Sequence, residues 1–230
     1  MYLFEYLAML NKLWDLIFPP YCVACNAPGE WFCASCRDKI QRVRGGICAK
    51  CLSIGEHECK GELPFLSVMA FGYYHDPILR ALITKLKFNG VTVLENDLKV
   101  FLSTRRSIEL SPDAVIVPMP LAKKRLKERG FNQAEFTANV FKEAFALPNS
   151  MDLNVLQRME HKDPQSSLAH DYGVRAGHIR GVFSAGKELP EHIVLVDDVV
   201  TTGATAGEAA KILLEAGAKR VDLIALAIGA

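Results

Sequence analysis

Beyond Cys59 the chain has no cysteine: all seven thiols fall between Cys22 and Cys59, and the long remainder has none. A secreted, disulfide-stapled protein would rarely confine its cysteines beside a cysteine-free remainder, so the pattern points to metal ligands in a reducing compartment. Excess charge of either sign is also missing. The formal net charge is +1, so no global field draws the chain toward nucleic acid or a membrane, and any anion site must be local. There is no internal repeat and no low-complexity tract. The opening segment, Met1–Phe18, is apolar but broken by Glu5, Asn11, Lys12 and Asp15, which makes it a poor membrane span. It also lacks a basic n-region and a small-residue cleavage site, so neither a signal peptide nor a transmembrane segment is expected. Leu3, Tyr6, Leu7, Leu10, Leu13, Trp14 and Ile17 recur at helical spacing. The segment 1–18 therefore reads as an amphipathic helix docked on the rest of the protein, with a membrane-surface or partner-binding helix as the alternative.

With 230 residues, half of them apolar, the chain can bury one full α/β core and carry a small extra module. Three units are expected: the helix 1–18, a Cys-rich module 19–63 opened by Pro19-Pro20, and a larger α/β domain 64–230. Within the last, apolar runs alternate with helical periodicity. Strands are expected at Phe65–Tyr73, Ala114–Val117, Leu153–Leu156, Gly181–Ala185, from Ile193, and at Val221–Ile228. Helices are expected from Pro77 (apolar face Ile78, Leu79, Leu82, Ile83, Leu86), at Leu94–Leu102, at Phe131–Ala146 and at Thr205–Ala216, the last closed by Gly217. Strands alternating with helices give a mostly parallel sheet flanked by helices.

The module's chemistry lies in its spacing. Cys22-x-x-Cys25 and Cys33-x-x-Cys36 supply four thiolates on two facing turns, a tetrahedral set suited to zinc. Cys48-x-x-Cys51 is a third pair; Cys59 is available to it, and His57 or Glu56 would complete a second site. An interleaved arrangement, in which the third pair completes the first, satisfies the spacing as well. Zinc held by four protein ligands is structural, because no position is left for a substrate. Basic and acidic residues balance up to Leu63, which argues against a simple DNA-binding finger, although Arg37 to Arg44 makes a local basic cluster.

The densest signal is the run Ile193-Val194-Leu195-Val196-Asp197-Asp198-Val199-Val200-Thr201-Thr202-Gly203-Ala204-Thr205. An aliphatic strand leads into two carboxylates, where open α/β sheets place their ligands. A hydroxyl-rich loop with Gly203 then opens a helix, so loop N–H groups and a helix N-terminus face an anion. Carboxylates beside a phosphate cradle accept hydrogen bonds from sugar hydroxyls and can share a magnesium ion. A second basic loop follows Val115-Ile116-Val117-Pro118-Met119-Pro120: Lys123, Lys124, Arg125, Lys127 and Arg129, then Gly130-Phe131-Asn132-Gln133. Read from composition alone, it is equally a pyrophosphate clamp or a solvated helix start.

The Asp197–Thr205 run resembles the phosphoribosyl-pyrophosphate signature of type I phosphoribosyltransferases. A narrower resemblance, to the ComF family of competence proteins, rests on Val117-Pro118-Met119-Pro120-Leu121 with Arg125-Leu126-Lys127-Glu128-Arg129-Gly130-Phe131-Asn132-Gln133. Pro19-Pro20-x-Cys22-x-x-Cys25, Leu86-Lys87-Phe88 with Gly90, and Gln165-x-x-Leu168, Arg175 and Val182-Phe183 agree with it. Two departures stand out. His178 lies where the family carries a nearby Asn, and only Cys59 remains of a usual fourth Cys-x-x-Cys pair.

The resemblance implies a zinc ribbon joined to a phosphoribosyltransferase fold, and a cytoplasmic protein of natural transformation with the inner membrane face as one place of action. Asp197 and Asp198 would serve the ribose hydroxyls, magnesium and any transfer chemistry. Val199 and Thr201, Thr202, Gly203, Ala204 and Thr205 would cradle the 5-phosphate. Lys124, Arg125 and Arg129 would face pyrophosphate or a DNA backbone. Expected partners are phosphoribosyl pyrophosphate with magnesium, single-stranded DNA, and a DNA-uptake helicase or recombination protein. The alternatives are an active phosphoribosyltransferase of nucleotide or sugar metabolism and a regulatory sensor.

Overall fold

A computed structural model describes residues 19–88, 91–103, 108, 110–159 and 182–229. The expected helix 1–18 and the positions Gly90, Gln165, Leu168, Arg175, His178 and Gly181 lie outside the described residues. In chain order the elements are α1 (Ala34–Lys39), β1 (Val68–Tyr73), α2 (Pro77–Phe88), α3 (Val91–Ser103), β2 (Val115–Pro118), α4 (Lys123–Arg129), α5 (Gln133–Ala144), β3 (Leu156–Arg158), β4 (Phe183–Ala185), β5 (His192–Val200), α6 (Ala204–Glu215) and β6 (Arg220–Ile228).

β1, β6, β5 and β2 pair in that order into a parallel sheet, and β3 with β4 forms a separate antiparallel pair. β5 and β6 are buried along most of their lengths. That burial explains their near-continuous aliphatic sequence, since a parallel strand covered on both faces cannot alternate with polar residues. On one face Val194, Val196, Ile116 and Phe71 pack with Leu79, Leu82, Leu98, Phe101 and Phe141 from α2, α3 and α5. On the other, Ile193, Leu195 and Val117 pack with Ala206, Ala209, Ala210 and Leu213 of α6.

The expected elements are present with shifted ends. β5 does not stop before the carboxylates: its pairing with β6 continues through Asp197↔Ala225 to Val200↔Ile228. The expected strand at Leu153–Leu156 instead runs Leu156–Arg158, and the expected helix Phe131–Ala146 starts at Gln133. Before it stands α4, a helix with no buried residue, ended by Gly130 in the left-handed region (φ 79°). The α2 start has a cap that Pro77 alone did not reveal. Asp76, almost fully buried, accepts from the backbone N–H groups of Ile78 (2.8 Å) and Leu79 (2.9 Å), and its other oxygen accepts from Gln41 N–H (2.8 Å).

The Cys-rich module is built into the sheet. Between its two metal-binding halves the chain runs along the β1 edge: Val43 N–H donates to Phe71 O at 3.3 Å, and Arg42 bridges Gly72 in antiparallel fashion. Gly72 permits this approach, because a Cβ there would meet Leu79 Cδ2 at 2.5 Å and Gln41 O at 3.2 Å. The halves consequently pack on opposite faces. Cys22, Phe32, Cys36 and Ile40 join the α2–α3–α5 core, and Val43 and Leu52 join the α6 core.

At the strands' N-terminal ends, buried Asp222 accepts from Ser67 N–H (2.9 Å) and from Arg220 Nε (2.9 Å), and lies 2.8 Å from His192 Nε2. One carboxylate thus ties the starts of β1, β5 and β6 at the end opposite the ligand cleft described below. Asp222→Ala strands these donors and should cost about 3 kcal/mol in urea unfolding while leaving ligand affinity unchanged. An unaltered unfolding midpoint would show that the network does not hold the strands.

Candidate functional site

The sheet register assembles the site. Pro118 lies beside Val196, so the loops leaving β2 and β5 emerge next to each other at the C-terminal edge. They enclose a cleft of about 490 Å³. Its lining includes Asp197 and Asp198 from the end of β5, the Thr201–Ala206 turn that follows them, and Arg125, Arg129 and Gln133 from the segment after β2. Of the residues expected from sequence, Asp197, Asp198, Val199, Thr201, Thr202, Gly203, Ala204, Thr205, Arg125 and Arg129 all line this one cleft. Lys124 is exposed on α4 and does not line it.

The two carboxylates differ. Asp198 lies 2.9 Å from the Lys87 ammonium at the end of α2. Burial, then the neighbouring Asp198 charge, pushes Asp197 well above the ordinary carboxylate range. Each carboxylate accepts from the next backbone N–H: Asp198 N–H to Asp197 Oδ1 at 2.8 Å, and Val199 N–H to Asp198 Oδ1 at 2.9 Å. The pair thus sits on a hydrogen-bonded strand, not a loose loop. Gly203 (φ 71°) turns the chain into α6, and Thr202 Oγ1 accepts from Ala204 N–H at 3.3 Å. Thr201, Thr202, Ala204 and Thr205 are exposed to the cleft. The first-turn N–H groups and the helix dipole together favour an anion there.

Sequence reasoning gave no chemical role to two charged residues of the cleft, Lys87 and Arg158, and did not single out Gln133 within the basic loop. Arg158 rests over the Phe183 ring at 5.3 Å; burial, then repulsion from Arg125, lowers its pKa. Gln133 accepts from Arg129 Nη1 at 2.7 Å and is 4 % exposed, and its Nε2 has no hydrogen-bond partner. A buried donor without an acceptor is costly, and a ligand oxygen in the cleft would satisfy it. Lys87, Asn132 and Gln133 did carry a sequence signal, since they fall in the segments that resemble the ComF family. Arg158 carried none.

With Lys87, Arg125, Arg129 and Arg158 around two carboxylates of which one favours the neutral form, the cleft suits an anionic ligand. The ligand-free carboxylates are not a ready dianionic cage for a bare divalent ion.

The seven cysteines and His57 form two separate clusters. Cys22, Cys25, Cys33 and Cys36 bring four ligand atoms within 4.8 Å of one another, and so do Cys48, Cys51, His57 and Cys59. This arrangement replaces the interleaved alternative and selects His57 over Glu56. Tetrahedral zinc with sulfur ligands requires sulfurs about 3.8 Å apart, and Cys25 Sγ–Cys33 Sγ is 3.7 Å and Cys48 Sγ–Cys59 Sγ 3.6 Å. His57 Nε2 lies 3.1 Å from Cys51 Sγ, while Nδ1 lies 2.9 Å from Gly55 O. With Nδ1–H donating to that carbonyl, Nε2 is left as the ligand nitrogen. The backbone N–H of Lys50 helps lower the Cys48 thiol to about 6, which favours the thiolate zinc needs. The residues fit structural zinc at both clusters.

Comparison with known proteins agrees with these features. Residues 13–66 match the family model described as a double zinc ribbon domain. Competence protein F of Haemophilus influenzae is 27% identical over 225 residues, covering 85% of this chain and 96% of its own. Competence protein ComFC of Bacillus subtilis is 28% identical over 203 residues, covering 83% and 80%. DNA utilization protein YhgH of Salmonella typhimurium is 29% identical over 225 residues, covering 90% and 96%. Among the described residues no helix is long and apolar enough to cross a membrane. The chain is thus a homologue, over most of its length, of the ComF and ComFC competence proteins and of YhgH, with a double zinc ribbon at its N-terminal side.

Proposed function

We propose that the protein acts in natural transformation, in the uptake and processing of DNA, by binding phosphoribosyl pyrophosphate with magnesium and single-stranded DNA beside it. The observation that carries this reading is the convergence on one cleft of the Asp197–Asp198 strand end, the Thr201–Thr205 turn at the α6 N-terminus, and Lys87, Arg125, Arg129 and Arg158. A sugar that carries a 5-phosphate and a 1-pyrophosphate matches that set. Its hydroxyls meet the carboxylates, its 5-phosphate the helix N-terminus, and its pyrophosphate the cations and the unpartnered Nε2 of Gln133. The names of the relatives, competence protein and DNA utilization protein, support the DNA role. So does α4, which holds Lys123, Lys124, Arg125 and Lys127 exposed at the cleft's edge. Such a basic surface contributes a salt-dependent phosphate affinity. The action belongs to the cytoplasm, at the inner membrane face during uptake, with a helicase or recombination protein as partner.

A second reading, phosphoribosyl transfer to an acceptor, uses the same residues. Magnesium would stabilise the departing pyrophosphate. The chain's own part is then positional and electrostatic: the carboxylates orient the sugar and face the positive charge that builds on its ring. Release of pyrophosphate with any purine, pyrimidine or sugar acceptor would favour this reading over binding alone.

Asp197 gives one test. Its raised pKa means that it contributes full stability below the ordinary carboxylate range, and that this contribution is lost as pH rises and the buried group is asked to ionise. Asp197→Asn, which keeps an acceptor for Asp198 N–H, should therefore raise Tm at neutral pH by about 2–4 °C for each kcal/mol of relieved strain. The gain should vanish at acid pH, and phosphoribosyl pyrophosphate binding should be lost. An unchanged Tm together with undiminished binding would contradict the role given to this carboxylate.

The DNA surface gives another. Affinity for single-stranded DNA should fall steeply with salt, and Arg125→Ala with Arg129→Ala should weaken it and flatten the salt slope by about 0.7 per lost phosphate contact. Equal slopes for the two proteins would remove these residues from the DNA surface.

A further inference from the structure

The second half of the zinc ribbon leans on the ligand loop. Leu52, the residue after the ligand Cys51, closes its turn by donating its N–H to Cys48 O at 2.8 Å. It does so with φ at 66°, in the left-handed region that a branched aliphatic residue rarely adopts, and its side chain is 5 % exposed. Leu63 is fastened to the same turn through its N–H to Lys50 O at 3.0 Å. Both side chains press on the start of α6. A Cβ built on Gly203 would lie 2.9 Å from Leu52 Cδ1 and 2.9 Å from Leu63 Cδ1, and one on Gly207 would lie 2.8 Å from Leu63 Cδ2. From its other side the loop is fixed by Gly229, whose N–H donates to Val200 O at 2.7 Å and whose missing Cβ leaves room for Thr201.

The two ribbon halves hold their shapes differently. In the first, the ligands Cys22 and Cys36 are themselves part of the core with Phe32 and Ile40. In the second, His57 and Cys59 are exposed, Cys48 and Cys51 are only partly buried, and Leu52 is the one fully buried apolar side chain between Cys48 and Leu63. A stretch with so little core and a strained leucine cannot recover its ordering entropy by burial, so its shape depends on the four ligands being held together.

We propose that the metal cluster of Cys48, Cys51, His57 and Cys59 is a strut for the Thr201–Thr205 loop, with Leu52 and Leu63 as the positioning residues that transmit it. Ligand affinity is thereby conditional on occupancy of the second ribbon site, and the coupling runs through the loop and not through contact with ligand, since neither leucine lines the cleft. The identity of the ligand rests on the function proposed above; the mechanical link does not.

The test uses hydrogen–deuterium exchange of the full chain loaded with zinc, with metal content measured in parallel. Three proteins are compared: wild type, Cys48→Ser with Cys59→Ser, and Leu52→Ala with Leu63→Ala. The cysteine variant should lose one of two zinc ions, and its Gly207–Ala210 amides should exchange about tenfold faster while the Leu223–Ala227 amides of β6 stay protected. The leucine variant should keep both zinc ions and show the same local loss of protection, with phosphoribosyl pyrophosphate affinity about tenfold weaker. Unchanged exchange at Gly207–Ala210 in a leucine variant that keeps both metals overturns the strut. If the cysteine variant loses protection in β6 as well, the leucine variant alone decides. If wild type fails to bind phosphoribosyl pyrophosphate, the proposed ligand falls, and the exchange comparison still judges the strut.

Discussion

The parallel register of β2 against β5 sets everything at the functional edge. Because Pro118 stands beside Val196, and Met119 N–H donates back to Val196 O at 2.8 Å, the loop after β2 leaves the sheet alongside the end of β5. A shift of one residue would turn the aliphatic side chains of β5 from one core to the other. That cannot happen cheaply, because both faces are buried: Ile193 and Leu195 belong to one core, Val194 and Val196 to the other. Burial on two faces thereby fixes where the basic loop meets the carboxylates, and the cleft inherits the precision of the sheet.

The two ends of the sheet serve opposite purposes. At the N-terminal edge, Asp222 is buried and fully partnered by a backbone N–H, a histidine and an arginine. At the C-terminal edge, Asp197 is pushed toward its neutral form, Gln133 Nε2 has no partner, and Arg158 is held near Arg125. Unfavourable groups collected in one cleft, on a scaffold secured at the other end, are the pattern of a site kept for a ligand. The zinc ribbon joins this scaffold: its middle extends the β1 edge, and its halves cover both faces.

The carboxylate strand, the turn after it and the first cysteine set were legible in the sequence because each is local: strand pattern, loop chemistry and helix start follow within a dozen residues. Lys87 escaped a chemical role because its partner Asp198 is far along the chain, and only the fold of α2 over the sheet joins them. Arg158 sits on a strand of three residues, too short for periodicity to register. The pairing of the second cysteine set stayed open because spacing alone does not say which turn faces which; the β1 edge does, by sending the two halves to opposite faces. Lys124 was expected with its neighbours, but on the exposed α4 it turns outward while Arg125 and Arg129 reach the cleft.

The central claim is that one cleft recognises both ends of a phosphoribosyl pyrophosphate. The most direct measurement is calorimetric titration of the intact, zinc-loaded chain with that compound and magnesium, beside ribose 5-phosphate alone and pyrophosphate alone. If the Thr201–Thr205 turn and the cleft's arginines act on one molecule, the whole ligand binds at one site per chain and at least about a hundredfold tighter than either part. Equal affinities for the whole and for pyrophosphate, or no binding of any of the three, would contradict the account.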